Sequence, residues 1–102
     1  MDSFKREVLD EQEALVLVFF YADWCGPCRM IFPIVDELDD QYDDDQLKVI
    51  KINVDYVDGQ ILQAQLVRSI PTMKFYKDGK HVAMYVHGSS KKRITKIIDE
   101  YL

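Results

Sequence analysis

The run ALVLVFFYA, residues 14–22, most constrains how this chain can fold. It is β-branched and aromatic, with no charge inside it. Its nine residues are too few to cross a bilayer, which takes about 20. A short continuous apolar run of this kind is a strand covered on both faces. The strand is placed at 15–21. The sequence YADWCGPCRM, residues 21–30, follows without a gap, and it holds the only two cysteines of the chain, Cys25 and Cys28.

Around this strand the pattern alternates. MDSFKREVL reads as a short helix, capped by Asp2 or Ser3, with Phe4 and Val8 on one face. From Pro27 to about Asp43 the period is helical: Met30, Ile34, Leu38 and Tyr42 recur at every fourth place, joined by Ile31 and Val35. Pro33 is expected to kink this helix. LKVIKINVD, 47–55, is a second strand, and residues 57–66 form a weaker helix. TMKFYKDGKHVAMYV is a hairpin, with strands near 72–77 and 81–86 around Asp78-Gly79. SSKKRITKIIDEYL closes the chain as a helix, capped by Ser89 or Ser90, with Ile94, Ile97, Ile98 and Tyr101 as its apolar stripe.

The order α-β-α-β-α-β-β-α makes an α/β fold. The first two strands are joined by a helix and should run parallel, and the hairpin adds two antiparallel strands. Helices then cover both faces of a four-stranded mixed sheet. The length of 102 residues suits one domain over 1–102, with no repeat or linker. A formal charge of −5 argues against nucleic acid as a partner. The N-terminal residues are too charged for a signal peptide, so a soluble cytoplasmic protein without membrane association is expected.

Cys25 falls where a strand ends and a helix begins. Free amides and the dipole at a helix N-terminus stabilise a thiolate, which is the nucleophile. Cys28 lies one turn further in, close enough for the two sulfurs to pair. Pro27 fits the first helical turn, where its missing donor costs nothing. Such a pair can attack a disulfide through Cys25 and release the product through Cys28. Zinc needs four ligands, and His81 and His87 are far along the chain. Haem attachment needs a histidine after the second cysteine, where Arg29 stands. No metal or cofactor is expected. A metal-binding dimer sharing two cysteine pairs remains the alternative of a different class.

These motifs together resemble the thioredoxin family. WCGPC (24–28) is similar to its active-site motif and SIPT (69–72) to its second signature; KINVD (51–55), the Asp-Gly hairpin and HGSSK before the last helix match too. The resemblance covers about Ser3 to Leu102. It implies the thioredoxin fold and a protein-disulfide reductase, recharged by an NADPH-dependent thioredoxin reductase. Cys25 is then the attacking thiol and Cys28 the resolving one. Trp24 resembles the flat wall beside the site, and Gly26 and Pro27 complete the motif. Pro71 is expected to be cis, with the Ile70 backbone pairing with an extended substrate segment. Val54, Ile70 and Gly88 resemble parts of the apolar docking surface. A docking module, or a redox partner of narrow specificity, is the alternative function.

The chain also departs from the family pattern. Phe19 stands where thioredoxins carry a buried aspartate that helps deprotonate the resolving thiol. Lys51, the usual neighbour of that aspartate, is present and is expected to lack its partner. No strand is expected before the first helix, which leaves 47–54 as a sheet edge, guarded by Lys48 and Lys51. A monomer is expected, with weak pairing of two copies through this edge as the alternative. His87 flanks the site where the family is usually apolar. The acidic run 36–46 is expected to be a solvated helix face and turn.

Overall fold

The computed structural model describes residues 4–86, 88 and 90–102. The proposed caps Asp2, Ser3 and Ser89, and His87 beside the site, lie outside the described residues. The sheet has four strands in the order β2-β1-β3-β4: β1 is Leu15–Tyr21, β2 Leu47–Asn53, β3 Thr72–Lys77 and β4 Lys80–Val86. β1 pairs parallel with β2, antiparallel with β3, and β3 is antiparallel to β4. Among the described residues β2 is an edge, as expected.

Alternation along β1 explains its unbroken apolar run. Leu15, Leu17 and Phe19 face one core with Met73 and Phe75 of β3. Ile31, Val35 and Leu38 of helix α2 (Gly26–Gln41) and Ile94 and Ile98 of helix α4 (Lys91–Tyr101) cover that face. Val16, Val18 and Phe20 face a second core with Tyr76, closed by Phe4 and Val8. Helix α3 (Gly59–Ala64) and the following turn add Leu62 and Val67 there. Each fully buried Leu, Ile or Phe stabilises the fold by about 1.5–3 kcal/mol, so neither face of β1 tolerates a polar residue cheaply.

Three local differences from the sequence reading have physical causes. The buried stripe of α2 is Cys28, Ile31, Val35 and Leu38, while Met30 is exposed. The stripe is set by the residues that follow Cys28 at three- and four-residue steps, and α2 runs on through Pro33 to Gln41. The first helix is a single π-type turn, Lys5–Leu9 (α1), closed by the Asp10 amide donating to the Lys5 carbonyl at 2.8 Å. β2 stops at Asn53 because Val54–Tyr56 turn into a 3₁₀ segment, where the Asn53 side chain accepts from the Asp55 amide.

The β3–β4 hairpin turns on Asp78 (φ 53°) and Gly79 (φ 76°), the pair of positive values that a two-residue hairpin of this hand needs. Gly79 is also required by contact. A Cβ there would stand 2.5 Å from the Leu9 carbonyl oxygen, so the turn packs on the end of α1 only without a side chain. α4 starts at Ser90, whose hydroxyl accepts from the Arg93 amide at 3.2 Å. No helix among the described residues is long and apolar enough to cross a membrane.

Candidate functional site

Strand direction gathers the predicted residues. β1 and β2 run parallel, so their C-terminal ends, with Ala22–Cys28 and Val54–Tyr56 beyond them, lie together. β3 begins at that same end, where Thr72 pairs with both Phe20 of β1 and Val86 of β4. The 69–71 segment and Gly88 therefore join the cysteines at one end of the sheet, beyond the C-termini of β1 and β2, the place where open α/β sheets hold their sites.

Cys25 and Cys28 are joined as a disulfide, with Cα atoms 5.3 Å apart. Cys25 is the N-cap of α2, and its sulfur accepts the Cys28 amide at 3.2 Å. Negative charge on the Cys25 sulfur would meet that donor and the helix N-terminus. Exposure separates the pair: Cys25 is 5% exposed and Cys28 0%. Pro27 stands within the first turn. At Gly26 an added Cβ would meet nothing within 4 Å, so glycine there keeps the surface beside Cys25 bare. Arg29 fixes the loop ahead of the helix by donating from Nε and Nη2 to the Asp23 carbonyl at 3.3 and 3.0 Å.

Trp24 is 68% exposed, a large ring left in solvent. Its Nε1 donates to Asp55 Oδ2 at 2.9 Å, which pins the ring beside Cys25. An apolar groove of about 410 Å³ runs from Trp24 over Val54, Leu62 and Val67 to Arg68, Ser69 and Ile70. Trp24, Val54 and Ile70 were expected there from the sequence. Leu62, Val67 and Arg68 were not, and neither was Asp55 as the partner of the Trp24 ring, for which the aspartate closing KINVD was the available signal. The Ile70–Pro71 bond is cis, as the resemblance implied. Thr72 Oγ1 donates to the Ser69 carbonyl at 2.7 Å and holds the approach to that bond. Gly88 does not line the groove. It lies against the Tyr85 ring, where a Cβ would come within 2.0 Å.

Phe19 is fully buried in the same core as Cys25 and Cys28. Its ring stacks on Tyr21 at 5.5 Å and meets Phe32 edge-on at 5.3 Å, while Tyr21 and Phe32 meet at 4.6 Å. Lys51 corrects the expectation of a lost partner. Its Nζ pairs with the Asp36 carboxylate and sits 5.5 Å over the Phe32 ring. The acidic run is thus not merely solvated, because Glu37 also pairs with Lys91 at 2.8 Å. Lys48 is 4.0 Å from Glu11, so both lysines of β2 are engaged in ion pairs. Among the described residues no group of three or more His, Cys, Asp or Glu side chains could hold a metal ion.

The comparisons agree with this geometry. The family model for thioredoxin matches residues 1–100. Thioredoxin 1 of Synechococcus elongatus is 44% identical over 98% of this chain and 91% of its own length. Synechocystis sp. thioredoxin is 44% identical over the same shares. The chloroplastic M-type thioredoxin of Chlamydomonas reinhardtii is 41% identical over 99% of this chain and 70% of its own. The crystal structure of Malassezia sympodialis thioredoxin (Mala s 13) superposes with a TM-score of 0.83 at 31% identity, covering 98% of this chain and 84% of that one. The chain belongs to the thioredoxin family, and it is a thiol–disulfide oxidoreductase that reduces protein disulfides.

Proposed function

We propose that Cys25 is the attacking thiol, Cys28 the resolving thiol, and the Trp24–Ile70 groove the place where the substrate segment docks. The single observation that carries the assignment is the asymmetry of the pair: Cys25 caps the helix N-terminus, its sulfur accepts the Cys28 amide, and it keeps slight exposure where Cys28 keeps none. In the reduced protein the Cys25 thiolate attacks one sulfur of a substrate disulfide, forming a mixed disulfide and releasing the other substrate sulfur as thiolate. Cys28 then gives up its proton and attacks the Cys25 sulfur. The second substrate thiolate leaves, and the Cys25–Cys28 disulfide reforms. Two electrons pass to the substrate, and the described disulfide is the spent state.

Trp24, Gly26 and Pro27 form the wall on one side of Cys25, with Val54, Ile70 and cis Pro71 on the other, while Gly88, expected in the docking surface, stands outside the groove against the Tyr85 ring. The exposed indole and the bare surface at Gly26 support an open site that takes an extended chain. Phe19 and Lys51 act on the second step. Burial of Phe19, and the engagement of Lys51 by Asp36, leave Cys28 to lose its proton to water. This favours a redox partner of narrower range, with slow resolution on general substrates, as the second reading.

An NADPH-dependent thioredoxin reductase would recharge the pair, giving the protein an electron-transport role in the cytoplasm. Residues 1–102 would act as one domain and a monomer, with weak pairing through the β2 edge as the alternative. The test is dithiothreitol-driven reduction of insulin. Activity lost in Cys25→Ser, and a stable mixed disulfide trapped by Cys28→Ser, are expected. Trapping by Cys28 with Cys25 absent would reverse the roles.

A further inference from the structure

Lys74 has no part in the chemistry above, and its position is costly. It lies in the middle of β3, opposite Val18 of β1, and is only 3% exposed. Taking an ammonium out of water costs several kcal/mol, and among the described residues no carboxylate lies within ion-pair distance of it. A leucine or methionine would carry no such desolvation cost. What lysine adds is one directed bond: Nζ donates to the backbone carbonyl of Gln65, the residue that ends α3. Burial lowers its pKa from the usual value, as expected for such a site.

The neighbouring side chains on that face of β3 do the same work. Thr72, Lys74 and Tyr76 alternate with Met73 and Phe75, which face the other core. Tyr76 OH donates to Gln65 Oε1 at 2.6 Å, and Thr72 Oγ1 donates to the Ser69 carbonyl at 2.7 Å. The Lys74 ammonium also lies 5.6 Å over the Tyr76 ring. Between these tethers, Leu66 is held at φ 59°, a left-handed conformation that leucine adopts at a cost of about 1–2 kcal/mol. Such a conformation persists only where its surroundings determine it. Val67 is fixed by donating its amide to the Leu62 carbonyl at 2.9 Å. The tethered segment is the one that carries Val67, Arg68, Ser69 and Ile70 into the groove.

We propose that Lys74 and Tyr76 are positioning residues for substrate docking, gripping Gln65 so that the 66–70 segment holds its shape along the groove. The proposal rests on the reading of that groove as the docking surface. It places determinants of protein-substrate affinity on the face of the sheet away from α2, in contact with neither the sulfurs nor the substrate.

The experiment compares Lys74→Met and Tyr76→Phe with the unsubstituted protein on two substrates. On the docking reading insulin uses the groove, whereas a small aromatic disulfide needs only the sulfur. For Lys74→Met the insulin KM is expected to rise about three- to tenfold, the loss of one directed hydrogen bond. Its rate with the small disulfide should stay within about twofold. Tyr76→Phe, an isosteric change that keeps the ring, should shift insulin KM in the same direction by about twofold and serves if Lys74→Met does not fold. Ile70→Ala reports on the groove itself. An unchanged insulin KM in folded Lys74→Met and Tyr76→Phe, with Ile70→Ala raising it, overturns the positioning role. Equal losses on both substrates would mean a general loss of structure and also overturn it. If Ile70→Ala leaves insulin KM unchanged, the docking reading fails instead, and the proposal falls with it.

Discussion

Phe19 and Lys51 are direct partners across β1 and β2, and the lysine turns from that strand to the Asp36 carboxylate and the Phe32 ring. Phe19 lies in the core that also holds both cysteines, with its ring packed against those of Tyr21 and Phe32. The resolving step therefore lacks an internal base at position 19.

Phe19→Asp puts a carboxylate there and should speed resolution of the mixed disulfide near pH 7. It also removes a fully buried ring and leaves a charge in its place, so the variant should lose ~4 kcal/mol or more of stability. Single-turnover release of a trapped substrate, measured below the variant's melting temperature, checks the rate. A folded variant that resolves no faster contradicts the role given to Phe19.

Leu66 is 66% exposed and buries little, so its left-handed conformation is strain with no packing gain. Leu66→Asn should raise stability by about 0.5–1 kcal/mol, because asparagine adopts this region more readily. The urea midpoint should rise with an unchanged slope.

Gly79→Ala should act the other way. Its new methyl would overlap the Leu9 carbonyl at a position already at positive φ, costing roughly 1–3 kcal/mol. In a domain of this size that lowers Tm by about 4–8 °C for each kcal/mol.

Burial pushes the Tyr76 hydroxyl up from 10.0 to about 12. The folded state thus holds the proton that the unfolded state gives up. This contribution is complete below pH 10 and is lost as pH rises through about 12. It amounts to roughly 2–3 kcal/mol across the window. Stability measured from pH 9 to 12 should fall more steeply in the unsubstituted protein than in Tyr76→Phe. Parallel curves would show that Tyr76 does not contribute.

The elements were legible because the burial code was locally consistent. The unbroken run in β1, the Asp78-Gly79 turn and the stripe of Ile94 and Ile98 each follow from spacing alone. Cys25 and Cys28 were visible as a pair, and Pro71 only through resemblance, since nothing in composition predicts a cis bond. Lys51 was misread because its partner, Asp36, lies 15 residues earlier, in a run that looked solvated. Lys74 gave no signal: in TMKFYKDGK it is one of several lysines, and only the return of α3 beneath β3 buries it. Long-range polar pairing has no sequence period, whereas apolar faces do.

The central claim is that Cys25 captures a protein disulfide and Cys28 releases it. It is tested most directly by incubating Cys28→Ser with insulin and mapping the covalent adduct by mass spectrometry. The account predicts one mixed disulfide, at Cys25, that dithiothreitol reverses and that Cys25→Ser does not form. A Cys28→Ser protein that is folded, carries a free Cys25 thiol and forms no adduct would contradict it.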